Sequence, residues 1–295
     1  LVSTAWVDFD KSGTLSATAS MTFSGGTNGT LDKTVIPSAI ELLGSYGINV
    51  LVNMVAMTDS SAFDAVVRQN EKQGHWMQMV DDPKATWLPT GGSEYVIGPN
   101  AGASNDEADL CLLWPWIAGA EASCALGGSL DNKTYDGELI SLLVNTQSLT
   151  PPTLDEIEYG IRAGYMVLHT VGSEWRIMND DNTFINYTDK KDEAFHRNQT
   201  IRVLHYAATE WHAIFVNEFI GKAGTEEADR TNYKMRCVNS AKAMQLAKAI
   251  KNFDSADIQV SEGEQSDSYF VQSYLQPNFN VRKCYHEMTV APFNS

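Results

Sequence analysis

"SLTPPTLDEIEYGIRAGYMVLH", residues 148–169, spells a helix and a strand back to back. Thr153 and Glu156 make a T-x-x-E capping box, in which hydroxyl and carboxylate each satisfy a helix-end N–H that has no intrahelical partner. Asp155 and Glu158 put negative charge near the positive end of the helix. Gly164 can take the left-handed conformation that ends a helix, and "YMVLH" then reads as a buried strand. None of these residues is a nucleophile, a metal ligand or a phosphate cradle. A helix feeding straight into an apolar strand predicts an α/β chain.

The same alternation extends upstream. "INVLVNMVAM" (48–57) is a near-continuous apolar run, as in a parallel strand buried on both faces. A helix over 33–45 precedes it. Another, capped by Ser60 or Ser61, runs to Gln73 and closes at Gly74. "HWMQMV" (75–80) is the next strand. Residues 81–107 read as a Gly/Pro/Asn-rich loop around "EYVIG", "ADLCLLWPW" (108–116) as a third buried strand, and "WIAGAEASCALGG" as a small-residue helix. The pattern changes near residue 188. A charged junction leads to a helix over about 197–220 with Ile201, Leu204, Ala208, Trp211, Phe215 and Phe219 on one face. "GKAGTEEAD" breaks it, a second helix covers about 229–251, and three strand-like runs follow: "ADIQVSEG", "DSYFVQSYLQP" and "NVRKCYHEMTVAP". Two domains are predicted: 1–188, α/β with a mostly parallel sheet, and 189–295, smaller and α+β.

Composition narrows the partners. A net charge of −16 argues against non-specific binding to nucleic acid or anionic membranes. No apolar run is long enough to span a bilayer, and no secretory leader is read at the start. The chain opens on Leu1 within strand-like sequence, so an N-terminal region is expected to be missing. Cys111, Cys124, Cys237 and Cys284 lack C-x-x-C spacing and read as buried free thiols.

Motifs for chemistry fail on inspection. "DFDKSGTL" (8–15) begins like a calcium loop, but Ala19 stands where the bidentate Glu belongs. "SGGTNGT" (24–30) lacks the Lys-Ser/Thr of a P-loop and reads as a tight turn. His205 and His212 share a helix face, two ligands too few for a structural metal site. No G-x-S-x-G elbow occurs. No catalytic, cofactor-binding or metal-binding residue is assigned. What remains is a C-terminal strand free to pair outside its own domain, an efficient coupling between chains.

Six segments, in order, resemble the tail sheath proteins of contractile-tailed phages and related injection particles. These are "FSGGTNGT", "WIAGAEAS", the 148–169 unit, "DNTFINYTDKKDEAFHRNQTIRVLHYAATEW" (181–211), "FIGKAGTEEADR" (219–230) and "CYHEMTV" (284–290). The resemblance implies a subtilisin-like α/β domain without a catalytic triad, then a smaller α+β assembly domain. It implies a structural subunit, not an enzyme, that polymerises helically around a tail tube and contracts to drive the tube through the host envelope for genome ejection. It implies a donor strand of Tyr285, His286, Glu287, Met288, Thr289 and Val290, which augments a neighbour's sheet. The implied partners are the chain itself, the tail tube protein, and baseplate and tail terminator proteins, with no cofactor, nucleic acid or membrane. The implied location is the virion tail, and the host cytoplasm during assembly. Two alternatives stay open: a bacterial, tailocin-like injection particle, and an α/β hydrolase or nucleotide-binding enzyme using the Gly25–Gly29 loop.

Overall fold

The computed structural model describes residues 38, 42, 48–52, 77–82, 88–100, 113–137 and 150–289. By its internal contacts the chain divides into 1–33 and 34–295, and every described residue lies in the second unit. The calcium-like loop, "SGGTNGT", the helix after Ser60, Cys111 and Val290 lie outside the described residues. Of the helix expected over 33–45, Ser38 and Leu42 are described, and both are helical.

Three short strands form a parallel sheet in the order β1 (Val50–Val52), β2 (Gln78–Val80), β3 (Val96–Ile97). Their near-continuous apolar sequence has the cause expected: Met77, Met79, Val80, Val96 and Ile97 are fully buried. Residues 96–97, read from sequence as part of a loop, are therefore a strand of this sheet. The Gly- and Pro-rich flanks concealed a two-residue ladder. β4 (Pro99–Asn100) pairs parallel with β5 (Met166–Val171), the "YMVLH" strand.

β5 then turns through Gly172 and Ser173 into antiparallel β6 (Glu174–Ile177), with Gly172 at φ 65°. Among the described strands before residue 188, three pairings are thus parallel, as expected, and this hairpin adds one antiparallel pairing. A Gly-Ser pair between alternating runs is the local signal for this hairpin.

α1 spans Trp114–Ser123. The expected strand over 108–116 is corrected at its end, because Trp114, Pro115 and Trp116 open this helix. Proline suits a first helical turn, where its missing N–H costs no intrahelical bond. Ile117, Ala118 and Ala120 pack with Val80, Ile97, Met166, Leu168 and Ile177 into the first hydrophobic cluster. Each large side chain sealed in this way contributes roughly 1.5–3 kcal/mol.

α2 (Leu154–Arg162) has the capping box read from sequence. Glu156 N donates to Thr153 Oγ1 at 3.4 Å, and Thr153 N donates to Glu156 Oε2 at 2.7 Å. The bond from Thr153 N, with Thr153 Oγ1 donating to the same Oε2 at 2.8 Å, draws the exposed Glu156 carboxyl below its usual range. Gly164 ends the unit at φ 81°.

The second hydrophobic cluster is built from α3 (Asn198–Ile214), α4 (Glu227–Leu246), and the antiparallel hairpin of β7 (Ile258–Glu262) and β8 (Tyr269–Ser273). α3 continues into a π turn over Phe215–Phe219, closed by Ile220 N donating to Phe215 O at 3.0 Å. The buried stripe of α3 differs from the one expected. Val203 and Ala207 are its sealed positions in this cluster, whereas Leu204 and Ala208 are only partly covered. Asn198, Arg202 and His205 meet Asp180, Glu121 and Tyr95 outside this cluster, and this second contact direction defeats a single-face reading of the helix. Phe215, Phe219, Tyr233 and Tyr269 form a knot of tilted and edge-on rings with centroids 5.1–6.0 Å apart.

Candidate functional site

After β8 the chain returns along the second cluster. Tyr274 N donates to Asp257 O, Lys251 N to Gln276 O and Asn278 N to Ala249 O, each at 2.9 Å. Asn280 N then reaches Gln199 Oε1 at 3.4 Å. Arg282 is the last residue held in place. Its Nε donates to Asp131 Oδ2 at 2.7 Å, its Nη2 to Asp180 O at 3.2 Å and its Nη1 to Asp181 Oδ2 at 3.2 Å, and Nη2 forms an ion pair with Asp181 Oδ1 at 2.9 Å.

Beyond Arg282 the character of the chain changes. Lys283 through Thr289 have no strand partner, ion pair or hydrogen bond among the described residues. Tyr285 is 89% exposed and Met288 85%. Tyr285, His286, Glu287, Met288 and Thr289 therefore sit together on one solvent-facing tail, without regular secondary structure in the isolated chain. Apolar side chains held out in water, next to unpaired backbone N–H and C=O groups, are the two ingredients of strand pairing. Cys284 lies on this tail and is exposed, correcting the reading of it as a buried thiol. Cys237 is buried as expected, and burial pushes its thiol up to about 11.

The socket for Arg282 belongs to a larger buried ionic network around Asp180, which is fully sequestered. Asp180 Oδ2 accepts from Leu130 N and Arg202 Nη2, both at 3.0 Å, and Oδ1 accepts from Asn198 Nδ2 at 3.0 Å. Its own N–H donates to Asp131 Oδ1 at 2.7 Å. Glu121, on α1, pairs with Arg202 Nη1 and accepts from Asn198 Nδ2 at 3.3 Å. Asn198 in turn accepts from Gln78 Nε2, on β2, at 3.0 Å. One polar cluster thus joins β2, α1, the 129–133 turn, the loop after β6, the start of α3 and the root of the tail.

Burial, then the neighbouring Asp180 carboxylate, push the Glu121 carboxyl well above the usual carboxylate range. Burial alone would also raise Asp180, but bonds from Glu121, Arg202, Leu130 N–H and Asn198 bring it below its ordinary value. Burial works against the charge on Arg282, and Asp181 and Asp131 more than restore it. Every charge here has a hydrogen-bonded counterpart. Removing one partner of such a set costs about 3–5 kcal/mol, because it strands the other charge.

His205 and His212 are not a ligand pair. The His205 ring stacks on Tyr95 with centroids 6.4 Å apart, and burial, aided by Arg202, lowers its pKa to about 3. It is a neutral, partly covered imidazole. Among the described residues no three His, Cys, Asp or Glu side chains gather as a metal site, and no helix is long and apolar enough to cross a membrane. Sequence reasoning missed Arg282 and its acids. The one local signal was the run Asn179-Asp180-Asp181-Asn182, four polar residues after an apolar strand, all of them buried.

Residues 190–291 match the family model described as the phage tail sheath C-terminal domain. No curated protein matches the chain. Among solved structures, the chain is similar to a sheath tail protein of Desulfitobacterium hafniense, with TM-score 0.68 and 23% identity, over 90% of this chain and 61% of that one. A sheath tail protein of Listeria innocua gives TM-score 0.68 and 20% identity, over 87% and 59%. The sheath complex of an extracellular contractile injection system, PVC, in its contracted state gives TM-score 0.57 and 11% identity, over 86% and 74%. The chain spans about three fifths of the length of the two sheath tail proteins. The resemblance to contractile tail sheath proteins read from the sequence is borne out, and the mixed α/β fold is that of sheath proteins.

Proposed function

We propose that this chain is a structural subunit of a contractile phage tail sheath, a helical polymer around a tail tube whose contraction drives the tube through the host envelope for genome ejection. The observation that carries the reading is the tail after Arg282: exposed apolar side chains on an unpaired backbone, rooted in a body with the sheath fold. In this reading residues 1–188 are a subtilisin-like domain without a triad, and residues 189–295 the assembly domain. Tyr285 to Val290 add a strand to the sheet of a second copy, where backbone bonds supply affinity and alternate side chains supply register. The extended sheath is metastable until released at the baseplate. Subunits then move largely as rigid bodies while the donated strands keep the mesh connected. Tube, baseplate and terminator proteins are the remaining partners, the virion tail is the location, assembly takes place in the host cytoplasm, and no catalytic role is proposed.

A bacterial contractile injection particle is the second reading, favoured by the likeness to the PVC sheath complex. The genes beside this one distinguish the two, since only the first accompanies capsid genes. Negative-stain electron microscopy of the full-length product, expressed alone, tests the shared core of both. Hollow tubes with an axial repeat support it. Monomers that persist at high concentration, and after tail tube protein is added, overturn it in favour of an α/β enzyme. A nucleotide or phosphate that raised the melting temperature would then identify such an enzyme.

A further inference from the structure

We propose that Arg282 is the fixed end of the link between subunits, pinning the root of the tail to the body so that the length of chain able to reach a second copy begins at Lys283. This rests on the sheath reading.

Three observations converge on it. The first is the position of Arg282: backbone bonds hold the chain up to Asn278, Asn280 still touches Gln199, and nothing holds residues 283–289 among the described residues. The second is the source of its partners. Asp131 and the Asp180–Asp181 pair lie 101–151 residues earlier, in the turn and loop beside the first hydrophobic cluster, whereas the stretch before Arg282 runs along the second. A pull on the tail is therefore delivered through the guanidinium to the side of the first cluster and through the preceding backbone to the second. The third is chemistry. A planar fork bonded on several edges resists rotation as well as extension, which a lysine ammonium in the same place would not. Val281, next to it, is 87% exposed, so the grip belongs to the arginine rather than to general packing.

From Lys283 to Thr289 an extended chain reaches about 23 Å. A fixed end turns that reach into a defined spacing. Because strand side chains alternate, it also decides which face of the tail meets the partner.

Trypsin cleavage of the full chain measures the anchor directly. Release of the peptide beginning at Cys284 requires Lys283 to enter a protease, which needs several residues on either side to come free. Arg282→Gln is expected to speed this cut at least about tenfold relative to cleavage in the body, and Arg282→Lys less. Asp131→Asn, which loosens the socket from its other side, should act in the same direction if Arg282→Gln fails to fold. Equal rates in wild type and variant, or a rise matched at sites in the body, overturn the anchor.

Assembly tests the link. A Gly-Ser insertion after Asn280 falls before the anchor and should leave the axial repeat of the tubes unchanged. The same insertion after Lys283 adds about 6.6 Å to the link and should change the repeat or block assembly. Identical behaviour of the two insertions overturns the proposal. Failure of the wild-type chain to form tubes is a different result, removing the sheath reading whatever trypsin shows at Lys283.

Discussion

Arg282 and Asp131, 151 residues apart in sequence, meet through a 2.7 Å bond from Nε to Oδ2. That contact closes a socket in which the root of an otherwise unattached tail is tied to the turn at 129–133. Its neighbours predict how the network responds to change.

Asp180→Ala should destabilise the chain by about 3–5 kcal/mol in chemical denaturation, since it leaves Arg202, Asn198 and the Leu130 N–H without their buried acceptor. Glu121→Gln should cost less than Asp180→Ala, because burial already disfavours the charged Glu121 carboxyl and the amide oxygen can still accept. Equal losses in the two variants would contradict this account of the pair.

Stability should fall as the solution is acidified below pH 6.5. The folded pKa of His205, about 3, lies below its ordinary 6.5, so only the unfolded chain takes up a proton in that window. Its contribution is complete above pH 6.5 and is lost toward pH 3, with a limiting slope of about 1.4 kcal/mol per pH unit. Denaturation midpoints at pH 7 and pH 5, for wild type and His205→Asn, isolate this share as the difference in slope.

Gly92→Ala should unfold far more easily than Gly172→Ala. Both glycines have positive φ, 71° and 65°, but a methyl group on Gly92 would lie 1.7 Å from Thr183 O, whereas none of the surroundings of Gly172 comes within 4 Å. Strain alone predicts a cost of about 1–2 kcal/mol at Gly172, and a forced backbone shift raises it to about 3 kcal/mol or more at Gly92. Thermal melts of the two variants compare them directly.

The tail should respond to chemistry that the body ignores. In the monomer Cys284 should react with a thiol reagent at once, while buried Cys237 waits for unfolding. On assembly Cys284 should become protected. His286→Pro removes an N–H from the tail without disturbing any fold contact, so the monomer should melt unchanged while assembly fails. Assembly that survives this substitution would refute strand donation by Tyr285–Val290.

The sequence by itself determined what neighbours in the chain can settle. Thr153 and Glu156 are three residues apart, and their capping box depends on little else. The apolar runs at 50–52, 78–80 and 166–171 became strands because burying them is favourable in almost any α/β packing. Even the breaks at Gly164 and Gly221 were legible, since a left-handed turn favours glycine whatever surrounds it. Only the tertiary structure decided the rest. Val96–Ile97 is a strand because β2 lies beside it, and the sealed face of α3 is set by the second cluster and the Asp180 network together. Arg282, a charged residue in a polar stretch, became an anchor because folding brings Asp131, Asp180 and Asp181 around it from more than a hundred residues away. The physical reason is range. A cap or a turn is decided by bonds within a few residues, whereas a buried charge is tolerable only after distant chain has closed over it with counter-charges.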